Sequence, residues 1–207
     1  MNALELHGLE KHYPDFALGP IDLELPGGTV CGLIGENGAG KSTTIKLILD
    51  MIDREAGTVK LFGQEEITPL AKADIGVVMG GEGIPTCLTA PQVGKVMAGI
   101  YPNWDAAAYA DWCRRFDLPE NKKYGDYSTG MKMKQCLAVA LSHHPSCCCW
   151  TKPPAAWTRW CGMSSSICCW TLYGMRTMHL YLVPHRQRFG KALRYHCLSA
   201  QGEAPAL

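Results

Sequence analysis

Acidic residues are almost absent from the last 62 residues of this chain. Residues 146–207 contain seven Lys or Arg and a single acid, Glu203, whereas residues 1–145 contain 13 Lys or Arg and 18 Asp or Glu. The overall net charge of +1 conceals these unlike parts. A net charge so close to zero argues against a general binder of nucleic acid or of anionic membranes.

Long apolar stretches are missing as well. No run reaches the roughly 20 residues that a membrane-spanning helix needs. The first residues, MNALELHGLEKHY, are polar and alternating, unlike a signal peptide. We therefore expect a cytosolic protein, and a chain of 207 residues suits one domain of ordinary core size with room for a subdomain.

Cysteine is plentiful but lacks the spacing of metal ligands. Seven of the 11 cysteines follow residue 145, and three are adjacent rather than arranged in C-x₂₋₄-C pairs. The histidines of this tail, His179, His185 and His196, follow no ligand spacing either. A disulfide framework is not expected in a cytosolic chain. We expect no metal centre in residues 146–207, and a tail that packs poorly or is irregular.

Residues 35–43 read GENGAGKST and match the phosphate-binding pattern G-x-x-x-x-G-K-[ST]. Gly38 and Gly40 permit the tight turn that points successive N–H groups at an anion. Lys41 supplies a positive charge for the β- and γ-phosphates, and the Ser42 hydroxyl is a ligand for Mg²⁺. A strand-like run precedes the loop and a helical pattern follows, so a helix N-terminus adds its partial charge. The predicted nucleoside triphosphate site consists of Gly35, Glu36, Asn37, Gly38, Ala39, Gly40, Lys41, Ser42 and Thr43.

Strand-like segments come early in the chain and helical segments later. Residues 3–9, 21–25, 58–62 and 75–79 alternate or run apolar like strands. Three later segments have helical patterns, at residues 90–100, 104–116 and 132–142. This order predicts an α/β nucleotide-binding core with an inserted helical subdomain.

A second motif, YSTGM, follows the phosphate-binding loop (P-loop) by about 90 residues and leads into a helical pattern. Together with the P-loop it resembles the signature motif of ATP-binding-cassette (ABC) ATPases, whose usual form is LSGGQ. Over residues 3–145 the chain is most similar to the ATPase subunits of bacterial ABC exporters. The resemblance implies that the signature contacts the γ-phosphate held by a partner subunit; the signature residues are Ser128, Thr129, Gly130 and Met131. A helix cap formed by Ser128 is the purely structural alternative.

The resemblance also implies a fold and a domain organisation. The fold is a P-loop NTPase core of the ABC ATPase type, with an antiparallel β subdomain and an inserted helical subdomain at about residues 83–145. Residues 1–145 form the nucleotide-binding domain, and residues 146–207 an aberrant tail. The implied ligands are ATP and Mg²⁺, with Lys41 as the catalytic residue.

Further family positions carry over onto Tyr13 and Glu82. The resemblance makes Tyr13 an aromatic residue that stacks on adenine, while a core or rim tyrosine is the alternative. The family glutamine expected after residues 75–79 is replaced by Gly80-Gly81-Glu82, in which Glu82 is a substitute oxygen donor or simply solvated.

The implied partners are ABC transporter transmembrane subunits and a second ATPase subunit, in a homo- or heterodimer. They would place the chain in the cytoplasm, on the inner face of the cell membrane. No nucleic acid is implied.

The segment after residue 145 departs from the family. The resemblance predicts an apolar strand that ends in Asp-Glu, followed later by a switch histidine. Residues 146–154 instead read SCCCWTKPP, with no acid. Phosphoryl transfer to water needs a group that orients the water and an acid that holds the metal. Both are missing from the expected place.

The genetic code offers an explanation for this departure. The codons of Cys147 to Thr151, read from one nucleotide upstream, give a run of leucines and then Asp, and Trp157-Thr158 gives a second Asp seven codons later. The same frame permits LLLLDEATSGLDPVVRDE. Downstream of about His179 the other frame permits IFISSHIDSDLEKLSDTIAFLHKGKLL, which contains a switch-type histidine. We therefore hypothesise that residues 146–207 are frame-shifted, near codon 146 and again near codon 179.

Three functions are consistent with this sequence. The first is the ATPase subunit of an ABC transporter. The second is a nucleotide-binding remnant that binds ATP without hydrolysing it, which ATP turnover would distinguish. The third is an ABC ATPase that works without a transporter, which co-purification with a membrane protein would distinguish.

Overall fold

The computed structural model describes residues 2–27, 30–35, 38–65, 68–80, 83–151, 178–184 and 194–198. Three strands come first, helices and strands then alternate as far as the fifth strand, three helices follow, and three strands end the described part. In chain order the elements are β1 (Asn2–Tyr13), β2 (Phe16–Pro26), β3 (Val30–Gly35), α1 (Lys41–Ile48), β4 (Ala56–Leu61), α2 (Pro69–Ala73), β5 (Ile75–Met79), α3 (Ala90–Ala98), α4 (Ala106–Arg115), a 3₁₀ turn (Tyr124–Asp126), α5 (Thr129–Leu141), β6 (Cys147–Thr151), β7 (Met178–Pro184) and β8 (Arg194–Leu198).

A small antiparallel sheet has the strand order β2-β1-β4. Leu4 and Leu6 of β1 are fully buried, as expected for the inward face of an alternating strand. The pairing of β1 with β4 ends at Glu10 and Ala56, while the pairing of β1 with β2 continues to the end of the hairpin. The tip of the β1–β2 hairpin therefore projects beyond β4.

The larger sheet has the strand order β5-β6-β7-β3-β8. Strands β5, β6, β7 and β3 are parallel, and β8 pairs with β3 in the antiparallel direction. Gly35, the last residue of β3, is in register with Pro184 at the end of β7. The P-loop therefore begins at the carboxyl edge of parallel strands, which is where ligands bind in open α/β sheets.

The prediction of an irregular tail is wrong for the three tail segments that the structure describes, since β6, β7 and β8 all belong to the larger sheet. Cys147 and Cys149 point into the core that contains α1, and Cys148 points into the core of the helical subdomain. A hydrogen bond with the Cys149 thiol, together with burial, raises the pKa of Cys147. Buried thiols behave as small apolar side chains, so adjacent cysteines form a buried strand. The other tail residues lie outside the described part.

Helices α3, α4 and α5 pack on one another as a helical subdomain, and α5 packs on β5 of the larger sheet. Asp105 caps α4 by accepting a hydrogen bond from the backbone N–H of Ala108 at 2.8 Å. The Tyr109 hydroxyl donates to the carbonyl of Ala90 at 2.8 Å and thereby ties α4 to the first turn of α3. A Cβ at Gly94 would lie 2.7 Å from Cε1 of Tyr109, so only glycine lets these two helices approach so closely.

His143 follows α5 and is fully buried. Its ring stacks on Tyr101, with centroids 4.1 Å apart and planes inclined by 5°. Burial lowers the pKa of His143, although the backbone of Val139 and of Ile75, and then the Asp74 carboxylate, oppose this shift. The imidazole is therefore neutral in the folded protein at neutral pH.

This burial predicts a pH-dependent stability. Because the pKa of His143 is lower in the folded than in the unfolded state, the stabilisation is complete above the ordinary histidine pKa of about 6.5. It is lost as the pH falls through the folded-state value. We expect the unfolding free energy of His143→Phe to fall less than that of the wild type when the pH is lowered from about 8 to about 5.5. Chemical denaturation measures both values. His7 is exposed, so His7→Asn is the control. If the unfolding free energy of His143→Phe changed with pH as steeply as that of the wild type, the pH dependence could not be assigned to His143.

Candidate functional site

The P-loop leads from β3 into the N-terminus of α1. Gly38 and Gly40 have φ angles of 89° and 88°, in the left-handed region that glycine tolerates best. The backbone N–H of Thr44 donates to the carbonyl of Gly40 at 2.8 Å, and its hydroxyl donates to the same oxygen at 3.0 Å. This pair of bonds fixes the turn on which α1 starts. The N–H groups of the first turn of an α-helix point out of its N-terminus, so those of α1 face the loop.

The predicted P-loop side chains are unevenly accessible. Ser42 is exposed, Lys41 and Thr43 are half-buried, and Ala39 is buried. No acidic residue occupies the first turn of α1, so nothing in that turn competes with an anion for the helix N-terminus. Glu36 and Asn37 lie outside the described residues.

Phe16 and Leu18 of β2 form one wall of the P-loop. A Cβ built at Gly40 would lie 2.8 Å from Cζ of Phe16 and 2.5 Å from Cδ1 of Leu18. Neither residue could be assigned to the site from sequence, because β2 and the loop are separate segments of the chain. The apolar alternation of β2 marks Leu18 as a core residue, but it carries no information about which loop that residue touches.

Gly38 and Gly40 provide a matched pair for testing this wall. Gly38 has no atom within 4 Å of a built Cβ, so Gly38→Ala should lose only the cost of a left-handed alanine, about 1–2 kcal/mol. Gly40→Ala adds the overlap with Phe16 and Leu18, for a total loss of about 2–5 kcal/mol in chemical denaturation. Equal losses for the two variants would show that the wall does not press on the loop.

The signature motif forms the N-terminus of α5. Ser128 is the N-cap of this helix, and its Oγ accepts a hydrogen bond from the backbone N–H of Met131 at 3.3 Å. The helix begins at Thr129, three residues earlier than the helical pattern predicted. Ser128, Thr129 and Gly130 are all exposed, and the first turn contains no acid. The capping alternative is thus present, and it leaves the exposed helix N-terminus open to an anion.

Tyr13 lies at the tip of the β1–β2 hairpin, and 43% of its surface is exposed. Its ring stacks on Phe16, with centroids 6.5 Å apart. Because Phe16 also touches Gly40, the hairpin tip stands beside the P-loop. A partly exposed aromatic ring in this place fits the predicted contact with a nucleotide base.

Two other expected features give different outcomes. Glu82, the candidate replacement for the family glutamine, lies outside the described residues. Strand β6 occupies the place of the expected acid-terminated strand, yet it ends at Thr151 and the next residue is Lys152. The described site therefore contains the predicted phosphate-binding loop without the acidic pair that was expected at the end of this strand.

Comparison with known proteins decides the family. A family model described as ABC transporter matches residues 18–153. The chain belongs to the ABC transporter family. The match includes the P-loop and the signature and ends two residues beyond β6.

Several characterised members of the ABC transporter family are similar to this chain. The ABC transporter ATP-binding protein YtrB of Bacillus subtilis (strain 168) is 31% identical over 146 residues, which cover 69% of this chain and 50% of YtrB. The ATP-binding protein NatA of the same organism is 31% identical over 137 residues, which cover 62% of this chain and 56% of NatA. The bacitracin transport ATP-binding protein BcrA of Enterococcus faecalis is 30% identical, with 69% and 48% covered. The chain thus spans about half the length of these relatives.

Solved structures share the fold of this ABC family member. An ATP-binding subunit of an ABC transporter superimposes with a TM-score of 0.71 at 21% identity, covering 87% of this chain and 79% of that one. A dimeric ATP-binding cassette in a post-hydrolysis state with ADP and Pi gives a TM-score of 0.69 at 17% identity, covering 87% of both chains. The predicted α/β P-loop fold of the ABC ATPase type is confirmed.

Within the described residues of this ABC family member, no helix combines the length and the apolar character that crossing a bilayer requires.

Proposed function

We propose that this chain is the ATP-binding subunit of an ABC transporter, which couples the binding and hydrolysis of ATP to transport through separate membrane subunits. The observation that carries the proposal is the P-loop itself. It leaves the carboxyl edge of a parallel sheet, turns through two left-handed glycines and enters a helix N-terminus without acids. These are the features that a bound triphosphate requires.

The proposed roles follow from the chemistry of each group. The backbone N–H groups of the loop and of α1 bind the phosphates, and Lys41 adds a positive charge for the β- and γ-phosphates. The exposed hydroxyl of Ser42 would hold Mg²⁺, which neutralises phosphate charge when bound. Tyr13 stacks on the base.

The signature supports a dimeric arrangement. Its exposed helix N-terminus, at Ser128, Thr129 and Gly130, is suited to a phosphate presented by another subunit. A similar fold has been solved as a dimer. We propose a head-to-tail dimer, with the same or a related subunit, attached to membrane subunits at the inner face of the cell membrane.

An ATP titration of the purified chain tests this function. ATP with Mg²⁺ should bind and be displaced by inorganic tripolyphosphate, because the phosphates provide the main contacts, whereas adenosine should displace it poorly. Failure of the chain to bind either ATP or tripolyphosphate would contradict the proposal.

A nucleotide-binding remnant is the alternative that the sequence left open. It rests on Thr151 at the end of β6 and Lys152 next in the sequence, where phosphoryl transfer to water calls for carboxylates. ATP binding without turnover would support the remnant, and ATP turnover would support the subunit.

A further inference from the structure

The tip of the β1–β2 hairpin extends beyond the sheet that supports it. Pairing between β1 and β4 stops at Glu10 and Ala56, while Tyr13 and Phe16 still pair at the tip. A two-stranded ribbon is only marginally stable in water. The tip therefore needs another contact if Tyr13 is to keep a fixed position beside the P-loop.

Glu55, the residue before β4, provides this contact. Its Oε2 accepts the backbone N–H of His12 at 3.2 Å and lies 2.7 Å from Nδ1 of the same residue. Its Oε1 lies 3.4 Å from Nζ of Lys11. The backbone N–H of Glu55 also donates to the carbonyl of Glu10 at 3.0 Å. The side chain thus continues the β1–β4 ladder past its last backbone pair.

These contacts involve the ionised form of the carboxyl group. The hydrogen bond with His12 lowers the pKa of Glu55, loss of hydration opposes this shift, and the Lys11 ammonium lowers the pKa further. The side chain is 43% exposed, and a single ion pair at such a site contributes little. Here one carboxylate engages a backbone N–H and two side chains at once, so the contacts restrict the hairpin tip jointly.

Lys11 connects the carboxylate to the aromatic ring. Its Nζ lies over the ring of Tyr13, 5.9 Å from the centroid, where a cation is attracted to the π-system. Phe16 stacks on Tyr13 and also contacts Gly40 of the P-loop. Tyr13 is therefore oriented by Phe16 from the P-loop side and by Lys11, which Glu55 holds in place.

We propose that Glu55 is a positioning residue for the nucleotide base. Through Lys11 and His12 it keeps Tyr13 in place against the base of the nucleotide whose phosphates the P-loop binds. The inference rests on the proposed function, because it requires a bound nucleotide. Glu55 lies on the segment that connects α1 to β4, so the chain that leaves the phosphate-binding helix also fixes the base contact.

Affinities for two probes test this role. ATP carries a base, whereas inorganic tripolyphosphate has only the phosphates. We expect Glu55→Gln to weaken ATP binding about 3- to 10-fold, the range for loss of an aromatic contact, and to leave tripolyphosphate binding unchanged. Lys11→Gln should have the same selective effect. In the double variant Glu55→Gln/Tyr13→Ala, the loss should equal that of Tyr13→Ala alone, because both changes remove the same contact.

Glu24→Gln is the matched control. Glu24 accepts a hydrogen bond from Nδ2 of Asn2 at 3.0 Å, on the same sheet but at the opposite end of the β1–β2 ladder. The Glu24→Gln variant should bind ATP and tripolyphosphate with the affinities of the wild type. The inference is overturned if Glu55→Gln leaves ATP affinity unchanged, weakens both probes equally, or adds its full effect to that of Tyr13→Ala. A wild-type chain that binds neither probe would overturn the proposed function and, with it, this inference.

Discussion

Replacing Lys41 by alanine should weaken ATP binding by about 100-fold or more. Lys41 is the first residue of α1, and in the proposed complex its ammonium contacts two phosphate groups. A hydrogen bond to a charged group contributes about 1.5–3 kcal/mol, and each 1.4 kcal/mol changes the affinity tenfold. Isothermal titration calorimetry with ATP and Mg²⁺ measures this change in affinity directly.

The same helix provides the control for this prediction. Lys46 lies about one and a half turns further along α1 and is exposed, so Lys46→Ala removes the same charge from the helix. We expect its ATP affinity to stay within about twofold of the wild type, since surface charges act weakly at such a distance. Alanine is the best helix former, so neither variant should unfold α1. Comparable losses in the two variants would mean that net charge, rather than Lys41, governs binding.

The P-loop could be predicted from sequence because its chemistry is local. Gly38, Gly40, Lys41 and Ser42 lie within five residues, and each residue type answers a need of the backbone or of the phosphates. The cap at Ser128 is local in the same way, since its hydroxyl bonds to an N–H three residues on. Such features need no knowledge of distant parts of the chain.

Contacts between distant residues could not be predicted in this way. Phe16 and Leu18 touch Gly40 only because β2 crosses the loop, and Glu55 reaches His12 across 43 positions of sequence. Nothing in the pattern of either segment identifies its partner. These contacts depend on strand register, which the small sheet fixes through its bulges and pairing.

The tail strands were missed for a different reason. A run of three cysteines indicates chemistry before it indicates packing, and it has no hydrophobic alternation that marks one face. In the structure both faces of β6 are covered, so an unbroken run of apolar side chains suits such a strand. The lack of alternation was therefore compatible with a strand buried on both sides.

Reading the gene in the shifted frames should raise ATP turnover at least about 100-fold over the chain as written. The forced Asp of the first shifted frame falls at Thr151, the last residue of β6, and the frame permits Glu at the position of Lys152. A positioned general base contributes about 10²–10⁴ to the rate, and an acid beside it holds the metal. Phosphate release from the two purified proteins, at saturating ATP, measures the ratio.

Two controls make this comparison specific. Lys41→Ala in the frame-restored protein should abolish turnover, which shows that it arises at the P-loop. Replacing only the restored Glu by Gln should remove turnover and keep ATP binding. Equal turnover in the original and the restored chain would contradict the frame-shift hypothesis, and so would genomic sequencing of codons 140–185 that finds the frame intact.

The fold gives a physical reason to expect that restoration will be tolerated. Strand β6 already lies between β5 and β7, and its cysteines fill buried positions on both faces. Leucines there are larger than cysteines, so they add apolar burial worth about 0.8 kcal/mol for each extra methylene, provided that the neighbours make room. The second frame permits IFISSH from about residue 179, which lies in β7. Strand β7 pairs with β3, the strand that leads into the P-loop. Both changes therefore insert new side chains into strands that exist, and the acidic pair would arrive at the carboxyl edge where the phosphates are proposed to bind.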